Sequence, residues 1–447
     1  MSEQLLTALE GLWIVAVFLG LVTFAGIGAT RLLLPDEWAG YRALLTPIVG
    51  WCILVLGLFV ANLAVGVRIG IWPLLAAAAV ANLAVLRRRR HPVNTAGRRE
   101  VHPLSPLGGE RGEGAHILPL LLGAGLVALA LVPHALQRSL GLLSLNGDEE
   151  FYFPPTAYVL GHPILGGPVD LSERLLEGIR LYGFAFEYSM AAASALSGSL
   201  PFQVYLPTTY CLLGLSVPAW FVFYREVYGL RPRAASVATL LYSLLGLPLW
   251  FASYGYGPQM GSLIAIPLGT AAFVGAVERG GARYLLLAGL AIAVGLASYY
   301  RGIGLHYVFT LLPVVAVATF RRRGVLPPAR AVGVAAVALV LGLPSHWHVA
   351  NWYFLHGAIT DLDDITGNGD WATFQPIGVG LGTEASTWAH DAEGTGPLAF
   401  LHPALQPLAE PMAWLVLAVA AVGLVRSAAA RPQPVAILLG FVAYMAL

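Results

Sequence analysis

Long apolar runs separated by short polar intervals dominate this chain. A helix needs about 20 apolar residues to cross bilayer hydrocarbon. On that measure the pattern predicts twelve spans, at roughly 11–34, 44–65, 69–86, 117–137, 204–223, 235–253, 259–277, 284–300, 303–320, 330–346, 411–426 and 434–447. Pro119, Pro218, Pro267 and Pro313 fall inside spans, which membrane bundles tolerate because neighbouring groups satisfy the freed backbone. The expected fold class is an all-α polytopic membrane protein with about twelve transmembrane helices. Two long extracytoplasmic loops carry short amphipathic helices.

The polar intervals are unequal. Between the third and fourth spans lies an Arg/Gly/Pro-rich stretch that includes Arg87-Arg88-Arg89-Arg90 and Arg111. Cytoplasmic loops collect basic residues, so this stretch is assigned to the cytoplasm. Strict alternation then places 20 of the 25 basic residues on that side. Arg68, Arg138, Arg174, Arg180 and Arg301 fall outside. The same alternation puts the two longest loops, 138–203 and 347–410, outside with most of the carboxylates.

The resulting organisation is an N-terminal three-helix segment (1–86) and a linker without apolar periodicity (87–116). A membrane core (117–346) follows and contains the first outer loop. After it come the second outer loop (347–410) and C-terminal helices (411–447), which stop inside an apolar run as a truncated span would. Within the first loop, Pro154-Pro155 suits a helix start. Leu171 to Leu181 has an apolar face and a charged one and would lie in the membrane interface. Phe184 to Leu196 is a third helical piece.

Composition supports the class. The chain is 57% hydrophobic and 11% charged, against about 25% charged in soluble domains, and its mean hydropathy is +0.73. The first apolar run lacks a basic n-region, so it reads as a span and not as a cleavable signal. A net charge of +1 gives no field to attract nucleic acid. Cys52 and Cys211 both lie in apolar runs and make no disulfide framework. All basic residues are arginine, which excludes lysine chemistry.

Three stretches carry candidate chemistry. Asn146-Gly147-Asp148-Glu149-Glu150-Phe151-Tyr152-Phe153 opens the first outer loop. An ionised carboxylate beside hydrocarbon is costly without a partner or a role. Asp148 or Glu149 could act as a general base or hold a divalent cation (Mg or Mn). The plain alternative is a solvated loop with Asp148 capping the next helix. The second stretch, Tyr299-Tyr300-Arg301-Gly302, forms the outer hairpin between spans eight and nine. There a guanidinium matches phosphate geometry or simply snorkels to the headgroups. The third, Ser345-His346-Trp347-His348, ends span ten. His346 and His348 are two apart and would share no helix face, so joint metal ligation needs an irregular backbone. The acidic run Asp361-Leu362-Asp363-Asp364 departs from EF-hand spacing and reads as a solvated loop. Tyr256, in Gly255-Tyr256-Gly257-Pro258, sits between spans six and seven where it could line an outer cleft.

This layout resembles the GT-C type of polytopic glycosyltransferases. The resemblance rests on Gly147-Asp148-Glu149-Glu150-Phe151-Tyr152 in the first large outer loop, on the helix after it, and on the Gly-rich span Leu287 to Ala297 ahead of Tyr299-Tyr300-Arg301-Gly302. It covers roughly 117–346. The acidic loop here follows the fourth span, so three helices would be an N-terminal addition.

The resemblance implies a polyprenyl-phosphate-linked sugar as donor and a glycan, lipid or protein acceptor. It also implies acidic loop residues serving as catalytic base or metal ligand. Asp148 and Glu149 are then the catalytic candidates, Arg301 and Tyr300 the phosphate contacts, and Glu150, Tyr152, Tyr256, His346 and His348 the substrate contacts. Inverting transfer at the extracytoplasmic face of the plasma membrane is the leading expectation. A transporter or flippase is the rival class. It calls for ionisable residues in mid-span and for internal symmetry, and neither is evident in the sequence. A glycan polymerase or ligase and a non-catalytic assembly factor complete the alternatives.

Overall fold

The computed structural model describes residues 3–89, 117–137, 149–165, 183–244, 257–322, 324–355 and 432–445. All regular structure among them is helical. The helices are α1 (Glu3–Leu33), α2 (Arg42–Asn62), α3 (Val67–Arg89), α4 (Ile117–Gln137), α5 (Glu149–Gly161) and α6 (Ala185–Ser197). They continue with α7 (Pro201–Glu226), α8 (Pro232–Leu244), α9 (Gly257–Glu278), α10 (Ala282–Arg322), α11 (Leu326–Leu355) and α12 (Pro432–Met445). A short 3-10 turn, Asp36–Tyr41, joins α1 to α2.

Eight helices among the described residues are long and apolar enough to cross a membrane. This is a multi-pass membrane protein. The fuller count of twelve is not reached, for local reasons. α8 covers part of 235–253, and 245–256 lies outside the described residues, as does 411–426. α12 has 14 residues, which rise about 21 Å, short of the roughly 30 Å hydrocarbon.

α10 runs through both 284–300 and 303–320, of which only its first limb, Ala282–Tyr299, counts among the eight. Its helical assignment is continuous, but Tyr299 has φ −156° and ψ 77°, a break between two limbs. In a straight helix, residues 295 and 307 would stand about 18 Å apart. Instead the Tyr307 hydroxyl lies 2.9 Å from where a Cβ on Gly295 would be. It also donates to the Ala265 carbonyl at 3.0 Å. The chain therefore doubles back at Tyr299, and the second limb, 300–322, returns beside the first.

Contacts sort the connections into two ends. At one end Asp36 pairs with Arg283, and Glu226 pairs with Arg279 and accepts from the Tyr41 hydroxyl. Arg330 donates to the Val277 carbonyl there, and Gln433 bonds Glu278. At the other end Glu10 bonds Gln203, and the Trp13 indole donates to the Ser197 carbonyl. Asn62 there donates to the carbonyls of Val159 and His162. The arginine-rich connections thus share one end. Naming it cytoplasmic rests on the arginine distribution.

Glycine sets the closest helix contacts. A Cβ on Gly26 would sit 1.8 Å from the Thr46 carbonyl oxygen, and one on Gly50 would sit 1.7 Å from that of Val22. Small residues let membrane helices approach to backbone contact, and here they clamp α1 against α2.

Two short helices differ from expectation. α5 starts at Glu149, not at Pro154, and holds both prolines inside it. Acidic residues in a first turn suit the positive end of the helix dipole. α6 is not a surface piece of the outer loop. Ala185 to Ser194 are all buried, and α6 packs against α1, α2, α3, α5, α7, α9 and α10. Its Ala and Ser residues are small enough to fit between spanning helices. Gly198, at φ 76°, ends it in a left-handed cap. The Leu171–Leu181 segment, the Asp361 run and most of the 87–116 linker lie outside the described residues.

Candidate functional site

The first turn of α6 is a junction. The Phe184 N–H donates to the Ala297 carbonyl at 2.7 Å, tying α6 to the last turn of the first limb of α10. That limb stops at Tyr299, and the last carbonyls of a helix have no partner within it. Phe184 stacks at a tilt on Phe59 of α2, with centroids 4.3 Å apart. Phe186 meets Tyr152 of α5 edge-on at 5.5 Å and Tyr205 of α7 at 5.6 Å. A Cβ on Gly257, the first residue of α9, would lie 2.2 Å from the Phe186 ring. α5, α7, α9 and the α10 turn therefore converge on Phe184 and Phe186, on either side of Ala185.

Several segments that carry the sequence-predicted residues meet there. Tyr152 is buried, 3% exposed, against Phe186 and Tyr205. Glu149 and Glu150 open α5, three and two residues before Tyr152, so their backbone lies about 5 Å or less along the helix axis from it. Tyr300 and Arg301 begin the second limb of α10, directly after the reversal. Asp148 and Tyr256 lie outside the described residues, each one residue before a described helix. His346 and His348 are in regular helix within α11. Two residues apart there means about 200° of rotation, so that backbone presents them on opposite faces. The irregular geometry that joint metal ligation requires is not present.

α5 and α6 are also held by Asn62. The Tyr188 hydroxyl donates to its Oδ1 at 2.7 Å. Its amide donates to the carbonyls of Val65, Val159 and His162 at 2.9, 3.2 and 2.9 Å. One side chain at the end of α2 thus fixes α5 above and α6 beside it. Deeper in the bundle, the Trp51 indole donates to the Ser189 hydroxyl at 2.9 Å.

One residue escaped the sequence reading. Glu187, on the first turn of α6, is 0% exposed, and neither carboxylate oxygen has a hydrogen-bond partner. Burial pushes its carboxyl up from 4.5 to about 8. The Thr156 hydroxyl of α5 is likewise fully buried and without a partner. Thr156 lies between Tyr152 and Val159 on one face of α5, and Glu187 lies between Phe186 and Tyr188. The signal was present as a lone carboxylate in an otherwise uncharged segment, Phe184 to Leu196.

Among the described residues, no three His, Cys, Asp or Glu side chains gather as a metal site. Of the two candidate Mg or Mn ligands, Asp148 lies outside the described residues and Glu149 is the first residue of α5.

An open apolar groove of about 550 Å³ runs beside the far end of α6, lined by Ala16, Gly20, Phe24, Trp72, Ala76 and Leu196 among others. Leu196 is nine residues from Glu187, about 13 Å along α6.

No family model, curated protein or solved structure matches this chain.

Proposed function

We propose that this protein is a membrane glycosyltransferase that moves a sugar from a polyprenyl-phosphate donor to an acceptor at the extracytoplasmic face. The observation that carries the reading is the convergence on Phe184 and Phe186 of the helix opened by Glu149 and the turn that precedes Arg301. An acidic segment and a basic turn held by one short helix suit a reaction that needs a base at the acceptor and a cation at the leaving phosphate.

In this reading Asp148 or Glu149 takes the proton of the acceptor hydroxyl. Its oxygen attacks the anomeric carbon, and the bond from that carbon to the phosphate oxygen breaks. The electron pair leaves on the lipid phosphate, whose charge Arg301 offsets, with Tyr300 beside it. One displacement inverts the anomeric centre. Glu150, Tyr152 and Tyr256 border the acceptor side. The apolar groove ending at Leu196 takes part of the isoprenoid tail.

The test uses membranes supplied with a polyprenyl-linked sugar. Asp148→Asn and Arg301→Ala should each lower transfer by about 10²-fold or more. Full activity in both variants overturns the assignment.

A transporter is the second reading, and two observations favour it. Glu187 is an ionisable side chain buried among spanning helices, and α10 is broken at Tyr299. Both features serve solute pathways. Substrate flux into proteoliposomes without turnover of a sugar-lipid would select this reading over the enzyme.

A further inference from the structure

Glu187 is the most isolated ionisable group among the described residues. Its burial is complete and its two oxygens are unbonded. A carboxylate in that state is far more costly than a carboxylic acid. Seven helices pack around α6, and none of their described side chains places a cation against Glu187.

The elements packed against α6 carry Tyr152 and Tyr158 on α5, Tyr205 on α7 and Cys52 on α2, and Tyr188 stands beside Glu187 on α6 itself. A charged Glu187 would hold the Tyr188 phenol still more firmly protonated, so Tyr188 supplies no opposite charge. On α1, Glu10 is bonded to Gln203, and on α3, Arg68 lies in the first turn. On α9, Glu278 is bonded to Gln433 at the opposite end. On α10, Arg283 is paired with Asp36 at that same far end, and Arg301 follows the reversal at Tyr299.

The boundaries of α6 are not equally firm. α1, α2, α3, α7, α9 and the first limb of α10 are spanning helices. α5 has 13 residues and spans nothing. It is held to the bundle by Asn62, by the Tyr152 ring and by a close approach of Gly66 to Gly161. It also carries Thr156, a buried hydroxyl without a partner, between Tyr152, which meets Phe186, and Val159, which is bonded to Asn62.

We propose that Glu187 is a proton-binding switch: its neutral form keeps α5 seated on α6, and its ionisation opens that boundary to water from the outer end of the bundle. Thr156 and the entering water then solvate the carboxylate. The device opens or closes the outer junction whether the protein transfers sugars or moves solutes.

The sign follows from linkage. An acid whose pKa is raised by folding binds a proton in the packed state that the open state releases. The closed packing is at full strength below the ordinary value of 4.5 and weakens as pH rises toward about 8. Above that value it weakens no further from this group.

The experiment uses the full chain in lipid nanodiscs. Infrared difference spectra follow the carbonyl stretch of protonated carboxyl groups through a pH titration. Amide hydrogen exchange of 149–161 and 185–197, corrected for its intrinsic pH dependence, follows opening. A protonated-carboxyl band that titrates near pH 8 and is missing from Glu187→Gln is the expected result, along with exchange in α5 that speeds up as pH rises from 4.5 toward about 8 in wild type and stays flat in Glu187→Gln. A band already lost below neutral pH overturns the proposal. So does an equal pH response of α5 exchange in wild type and Glu187→Gln. Should Glu187→Gln fail to fold, Glu187→Asp retains the carboxyl and must keep a titrating band at a shifted pH; an unchanged spectrum overturns the assignment to this residue.

Discussion

The backbone N–H of Phe184 reaches the Ala297 carbonyl across 2.7 Å, although 113 positions separate them in the chain. Gly183 makes that approach possible. Its φ is +135°, and a Cβ there would lie 2.4 Å from the Ala297 oxygen and 2.7 Å from that of Ser298. Gly183→Val should therefore strain the backbone and break the junction, at a cost of about 1–3 kcal/mol. Thermal unfolding of purified protein reads the loss. Wild-type stability in this variant would mean that the contact holds nothing.

Asn62 invites a graded comparison. Asn62→Ala strands the Tyr188 hydroxyl and removes the donor to three carbonyls. The expected loss is about 2–3 kcal/mol, against about 1 kcal/mol for Tyr188→Phe. If the two variants prove equally stable, the amide of Asn62 does not anchor α5.

The groove beside α6 can be filled without touching the bundle. A Cβ on Gly20 meets no atom within 4 Å, so Gly20→Phe should leave the melting temperature unchanged. If the groove holds an isoprenoid tail, the apparent KM for a long-chain donor should rise several-fold while that for a short-chain donor stays put. Equal KM shifts for both donors would remove the groove from the lipid path.

Gly26 and Gly50 predict the opposite outcome. Each already meets backbone of the partner helix at van der Waals limits. Gly50→Leu should force α1 from α2 and cost more than the 1–3 kcal/mol typical of overpacking, seen as lost monodisperse protein after detergent extraction.

Much of the architecture was readable from hydropathy because bilayer thickness sets the length of apolar runs. The stretch Tyr299-Tyr300-Arg301-Gly302 is one case: the runs 284–300 and 303–320 leave only Arg301 and Gly302 between them, which calls for a tight reversal. α6 was harder. Thirteen residues of Ala, Ser and aromatics carry no amphipathic period, so the same pattern suits a loop helix or a wedge inside a bundle. Only tertiary packing distinguishes them, and with it the isolation of Glu187. Sequence also cannot reveal that Asn62, an ordinary amide at a helix end, gathers α5 and α6. The acidic segment was visible as charge beside hydrocarbon, but its side-chain partners depend on Asp148, outside the described residues.

The reversal at Tyr299 has a consequence for leakage. A chain that turns back within the bundle leaves backbone carbonyls facing inward at its apex, and such groups draw water into a low-dielectric interior. α6 covers that apex with its own N–H and fills the space beside it with alanine. It therefore acts as a stopper at the end of the bundle where α10 reverses. Enlarging its alanines would lift the stopper, and the first symptom would be passive ion conductance across an otherwise sealed bilayer.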